Sequence, residues 1–204
     1  LKISGIDCHI GSQMTSGMPI IEATDKIISL YKKLLAEGIK VDHIDMGGGL
    51  GVTYDNETPP TPSEYCAPIL ERLKDLDVSI YIEPGRAMVA NACILLAKVQ
   101  YQKDNGDKHF IITDTGMNDM IRPALYGSWM TIINTTVHPD GEAVKSDVVG
   151  PICESDDFLG KDRKLNVRNG DILAVRGAGA YGSSMASTYN TRRLPCEVMV
   201  DGDK

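Results

Sequence analysis

Three short clusters in the N-terminal part of the chain carry side chains suited to chemistry. His9 and Ser12 lie in H-I-G-S-Q, Gly47 to Gly49 in D-M-G-G-G-L-G, and Glu83 to Arg86 in E-P-G-R. Side-chain-free backbone in a glycine run lets N–H groups approach a phosphate, and Arg86 supplies a matching positive charge. Glu83 is an acid able to hydrogen-bond a heteroaromatic nitrogen. Each cluster also has an ordinary role: a tight turn for the glycines, an ion pair for Arg86, a solvated strand end for Glu83. One site for a phosphate, a ring and an acid accounts for all three at once.

The elements around these clusters put them on one side of a sheet. Residues 1–9, 41–46 and 78–83 are strand-like, and each leads directly into one cluster. Residues 18–37 form an amphipathic helix with Ile20, Ala23, Ile27, Tyr31 and Leu34 on one face, Pro19 in its first turn and Gly38 at its end. A second helix is expected over residues 63–76. Strand and helix alternating at this spacing give βαβ units and a parallel sheet. The clusters then share the C-terminal rim of the strands, where ligands bind in α/β folds. Three βα units are too few to close a barrel, so further strands are expected upstream of Leu1. The opening, L-K-I-S-G-I-D-C without a methionine, fits a start inside a domain.

Beyond about residue 93 the pattern changes to short β-type runs: 94–102, 109–113, 130–137, 146–149, 171–175 and 197–200. Asn105-Gly106 is a hairpin turn between the first two. The expected division is therefore an α/β part over residues 1–90 and a mostly antiparallel β-domain over 91–204. In the second part, R-P-A-L-Y-G holds Arg122 and Tyr126, G-P-I-C-E-S-D-D holds Cys153 and Glu154, and G-A-Y-G holds Tyr181. A lone cysteine ordinarily packs in a core. Gly177, Gly179 and Gly182 match the dinucleotide-binding pattern G-x-G-x-x-G, but residues 183–195 have no apolar helical stripe to follow it.

Composition narrows the classes. The 204 residues are 42% hydrophobic and 24% charged, with a formal charge of −7. An acidic chain without a basic tract argues against nucleic acid or an anionic membrane as partner. Five widely spaced cysteines without C-x-x-C point to a reduced, cytoplasmic protein without a disulfide framework or a zinc site. No apolar run approaches a membrane span, and the first residues do not read as a signal peptide.

Six motifs in order, H-I-G-S-Q, D-M-G-G-G-L-G, E-P-G-R, R-P-A-L-Y-G, G-P-I-C-E-S-D-D and G-A-Y-G with Y-N (Tyr189-Asn190), resemble the diaminopimelate decarboxylases. These belong to the alanine-racemase-like enzymes that use pyridoxal 5'-phosphate (PLP). The resemblance implies the last three units of a (β/α)8 barrel followed by the β-domain, a homodimer with active sites shared between subunits, and a PLP lysine on an earlier strand. It implies that His9 stacks on the cofactor ring and that Glu83 binds the pyridine nitrogen. Ser12, Gly49, Pro84-Gly85-Arg86 and Tyr181 would hold the phosphate. Arg86, Arg122, Tyr126, Glu154 and Tyr181 would bind meso-diaminopimelate, and Cys153 would protonate the carbanion on the way to L-lysine. Ser128-Trp129-Met130 departs from the family's usual run, without touching a transferred role. The rival expectations are a sister decarboxylase acting on ornithine, arginine or a carboxylated polyamine, and a non-catalytic phosphate- or PLP-binding fragment.

Overall fold

The computed structural model describes residues 2–203. The chain divides into two compact units, Leu1–Val89 and Ala90–Lys204.

In the first unit, strands β1 (Gly5–Asp7), β2 (His43–Asp45) and β3 (Ser79–Tyr81) form a parallel sheet in sequence order. The register pairs Asp7 with Asp45 and Asp45 with Tyr81. Helix α1 (Met18–Ala36) carries Pro19 in its first turn as expected and ends two residues before the left-handed Gly38. Its buried face is Ile20, Ala23, Thr24, Ile27 and Tyr31, while Leu34 is only half-buried. Helix α2 (Pro62–Leu73) is capped by Thr61, whose hydroxyl accepts from Glu64 N–H while the Glu64 carboxylate accepts from Thr61 N–H. Tyr65, Ile69 and Leu73 of α2 meet α1 and the buried Val41, Ile44 and Met46 in one core. Each such side chain stabilises the unit by about 1.5–3 kcal/mol. With Ile44 facing the helices, side-chain alternation turns His43, Asp45 and Tyr81 to the other face. A short helix α3 (Gly85–Val89) follows the third strand.

The second unit is a six-stranded mixed sheet in the order β6-β9-β4-β5-β7-β8. Its strands are β4 (Ile94–Asn105), β5 (Lys108–Thr113), β6 (Ile132–Asn134), β7 (Val144–Val149), β8 (Phe158–Leu165) and β9 (Ile172–Arg176). Four of the five pairings are antiparallel, and β5–β7 is parallel. The β4–β5 hairpin turns at Gly106-Asp107, one residue later than expected: Asn105 still pairs with Lys108, and Gly106 takes φ 61°. β4 bulges between Val99 and Tyr101, pairs with β9 before the bulge and with β5 after it. The outer strands β6 and β8 come into contact, so the sheet nearly closes around Val99, Ile111, Val148, Leu159, Leu173 and Val175.

Two expectations for this unit need correction. Residues 197–200 form no strand; Val198 and Met199 are 81% and 91% exposed. Strand β8 was not foreseen, because F-L-G-K-D-R-K-L mixes glycine and charge. The run Arg122–Tyr126 forms a short helix α4 closed by left-handed Gly127. Among the described residues after Gly182 there are only short 3-10 turns, so the glycine pattern there lacks the helix a dinucleotide fold needs.

Candidate active site

The first unit gathers its three clusters on one rim. The Gly47–Gly49 turn is wired on every side. Gly47 N–H donates to Asp45 Oδ1 at 2.8 Å, and Gly48 N–H to His9 Nδ1 at 3.2 Å. Glu83 N–H donates to the Gly47 carbonyl at 2.9 Å, and the buried Tyr65 hydroxyl to the Gly48 carbonyl at 3.0 Å. Burial pushes the Tyr65 phenol up to about 12, so it remains a donor at neutral pH. A Cβ on Gly48 would collide with the Glu83 carbonyl, and one on Gly49 would lie 2.6 Å from the Gly11 carbonyl. Glycine is required there by crowding and, at Gly49, by φ of 108°.

That wiring orients the side chains. Accepting at Nδ1 places the ring proton of a neutral His9 on Nε2. Carboxylate oxygens of Asp7, Asp45 and Glu83 lie within 4.8 Å of one another. Negative charge from three strand ends converges at Glu83, a setting that favours a cationic partner. Arg86 lies beside Ser12, donating to its hydroxyl from Nη2 at 3.0 Å, and donates from Nη1 to Tyr54 at 2.7 Å. Tyr54, buried under the guanidinium, was not found in the sequence. The Gly47 and Gly48 N–H groups are engaged, which leaves Gly49 as the turn's remaining amide donor among the described residues.

In the second unit, Arg122 is 6% exposed, and its guanidinium lies 6.0 Å from the Tyr181 ring centroid. Tyr181 adopts φ of 61°, a left-handed conformation uncommon for a bulky residue. Arg122 also donates to Ser128 Oγ at 3.4 Å and approaches Met130 Sδ at 3.9 Å. The divergent run at Ser128-Trp129-Met130 holds no transferred residue, but Ser128 and Met130 pack on Arg122. Trp129 itself packs under the Arg163 guanidinium, which donates to the Met130 carbonyl at 3.1 Å. Tyr126 closes α4 and is exposed.

Cys153 and Glu154 are exposed on the loop between β7 and β8. Asp157, from the same motif, shapes this loop and was given no role in the sequence. Its two oxygens accept the N–H groups of Met117 and Ile152. Glu154 accepts from the Tyr189 hydroxyl at 2.6 Å. No hydrogen bond links Tyr126 or Cys153 to the other candidates among the described residues.

A family model described as "Pyridoxal-dependent decarboxylase, C-terminal sheet domain" matches residues 12–179. The chain belongs to that family. It is 55% identical over 205 residues to a diaminopimelate decarboxylase of Haemophilus influenzae, covering 100% of this chain and 49% of that protein. A crystal structure of the Helicobacter pylori diaminopimelate decarboxylase complexed with L-lysine superposes with a TM-score of 0.88. It is 44% identical, over 94% of this chain and 48% of that one. A lysine/ornithine decarboxylase from Vibrio vulnificus complexed with putrescine is also similar, with a TM-score of 0.83 and 27% identity over 94% of this chain and 53% of that one. The chain spans about half the length of the curated relatives it matches. Among the described residues, no helix is long and apolar enough to cross a membrane.

Proposed function

We propose that this chain forms part of a diaminopimelate decarboxylase, converting meso-2,6-diaminopimelate to L-lysine and CO2 in the cytoplasm as the last step of lysine biosynthesis. The first unit is then the closing portion of a (β/α)8 barrel and the second is the β-domain. The observation that carries the proposal is the rim where Gly49, Ser12 and Arg86 offer donors to an anion while Glu83 offers an acceptor.

That donor set fits pyridoxal 5'-phosphate. Ser12, Gly49, the Pro84-Gly85-Arg86 turn and Tyr181 are assigned to the phosphate. A Cβ on Gly85 would meet nothing within 4 Å, so there is room for a ligand beside the turn, whose Gly85 N–H donates to the Glu83 carbonyl at 2.8 Å. His9 is assigned to the ring face. Glu83 holds a proton at the pyridine nitrogen, aided by the negative charge of Asp7 and Asp45. When bound, the pyridoxal group supplies an electron sink for the electron pair left at Cα as CO2 departs. Cys153 then delivers its Sγ proton to Cα, in the active site of a partner subunit within a homodimer. Arg122 grips the distal carboxylate in a two-point fork, with Arg86, Tyr126 and Tyr181 as further substrate contacts and Glu154 paired to the distal ammonium. The cofactor-bearing lysine is assigned to the half of the relatives that this chain does not span.

Identity of 55% to a diaminopimelate decarboxylase against 27% to the lysine/ornithine enzyme favours this substrate over ornithine, arginine or a carboxylated polyamine. The test is turnover by the full-length protein loaded with PLP. Lysine and CO2 from meso-diaminopimelate, at a kcat/KM well above that for ornithine, arginine or lysine, supports the proposal. A preference for any of the latter overturns it.

A further inference from the structure

Glu154 reaches no basic side chain among the described residues; its hydrogen bond is with Tyr189, 35 positions further along the chain. The phenol donates to Oε1 at 2.6 Å, the length of a charge-assisted O–H···O bond. Tyr189 opens a tight turn, Tyr189–Thr191, in which Asn190 and Thr191 take φ of 54° and 57°. Two successive residues in the left-handed region persist only where their surroundings hold them. Those anchors are present on both sides of the turn. Ser187 N–H donates to the Asn118 carbonyl at 2.8 Å, and the Arg192 guanidinium donates to the Asp114 carbonyl. Asn118 lies in the same 114–119 segment that Asp157 ties to the Cys153–Glu154 loop through Met117 N–H. The Tyr189 turn and the Glu154 loop are therefore fastened to one common segment.

We propose that Tyr189 is a positioning residue for substrate selection: its hydroxyl fixes one oxygen of Glu154 so that the other is presented to the distal ammonium of the substrate. This rests on the diaminopimelate decarboxylase reading above. A glutamate free in solvent samples many rotamers, and ordering it on binding weakens the complex. A phenol bound to Oε1 does that ordering in advance. The bond and the charge of Glu154 both push the Tyr189 phenol upward, so it stays protonated and remains a donor at neutral pH.

Tyr189→Phe removes the hydroxyl and keeps the ring. In the full-length enzyme it should lower kcat/KM for diaminopimelate about tenfold, chiefly through KM, the scale of one hydrogen bond to a charged group. In a Glu154→Gln background the same change should be nearly silent. Additive losses, or a loss confined to kcat, would overturn the proposal. A second readout does not use turnover. In full-length protein carrying 13C-labelled tyrosine, the Tyr189 resonance should titrate above the usual tyrosine range and move down in Glu154→Gln. A Tyr189 titration indifferent to Glu154 overturns the positioning bond. Failure of the wild type to act on diaminopimelate would instead overturn the substrate assignment, with the labelled titration still deciding the bond.

Discussion

The Asp157 carboxylate accepts the Met117 N–H through one oxygen and the Ile152 N–H through the other, each at 2.6 Å. This joins the loop carrying Cys153 and Glu154 to the segment that precedes α4. A Cβ on Gly116 or Gly150 would press on the same carboxylate, so both glycines make room for Asp157. Burial raises its pKa against the lowering effect of those two N–H groups. Asp157→Asn would set an amide NH2 against a backbone N–H. We expect a loss of about 1–3 kcal/mol of stability, measured by urea unfolding, for a buried donor left without an acceptor. An unchanged urea midpoint would mean that the loop holds without this bond.

The acid limb of stability should depend on Asp171. Burial raises its pKa, but donation from His138, Arg168 N–H and Asn134 outweighs burial and holds it below the ordinary carboxylate value. A lowered folded pKa gives stability that is complete above the unfolded value of about 3.9 and is lost as pH falls through the folded value. The stability difference between wild type and Asp171→Asn should be constant above about pH 5 and shrink below about pH 4. A difference that grows on acidification would reverse the assigned sign. Asp119 and Asp157 work the other way. Burial raises both, so their ionisation disfavours the fold as pH climbs above the ordinary carboxylate range.

What the sequence revealed follows the range of the interactions. α1 was legible because Pro19, the apolar period and Gly38 are all local, and the strand-end clusters because each sits beside its own strand. β8 was not, because its inward face includes Arg163, whose burial depends on Trp129, far away in the chain. The apolar run at 197–200 looked like a strand for want of any view of its exposure. The contacts made by Tyr54, Asp157 and Tyr189 were hidden for the same reason. Each acts across 32 or more positions, on Arg86, Met117 and Glu154. Two signals were available: the final Asp of G-P-I-C-E-S-D-D and the tyrosine of Tyr189-Asn190, both inside motifs and neither with a role.

Cys153 should reveal itself by kcat. A thiol is a competent proton donor to a carbanion. In the full-length enzyme Cys153→Ala should lower kcat roughly 10²–10⁴-fold, the scale of a positioned general acid, with little effect on KM. Near-normal kcat would leave Cys153 without a chemical role. The 204-residue chain assayed alone with PLP should release CO2 no faster than free PLP, since the assigned lysine is outside it. Strands β1 and β3 each have one neighbour, and Tyr81 is 51% exposed on the face away from the helices. The isolated chain should therefore also aggregate readily. A sharply melting monomer would count against the proposal that the first unit is part of a barrel.

Arg122 provides the test of substrate choice. Diaminopimelate carries both an ammonium and a carboxylate at its far end, so a selective site needs one anion and one cation there. Glu154 is assigned to the first and Arg122 to the second. Arg122 is buried and set by Ser128, Met130 and the Tyr181 ring, which suits a guanidinium held in one orientation. Arg122→Lys keeps the charge and loses the planar fork. It should cost about 2–5 kcal/mol in kcat/KM for diaminopimelate, because a buried carboxylate is left with a single point contact. Ornithine and lysine have no distal carboxylate, so their slower turnover should fall far less. Sites that bind a substrate's polar group discriminate by leaving partners unpaired when it is missing, and the wild type should show that preference first. Measuring kcat/KM for diaminopimelate and ornithine in both proteins isolates the carboxylate contact. Equal losses on the two substrates would place Arg122 in support of the fold, and the distal carboxylate would then need another partner.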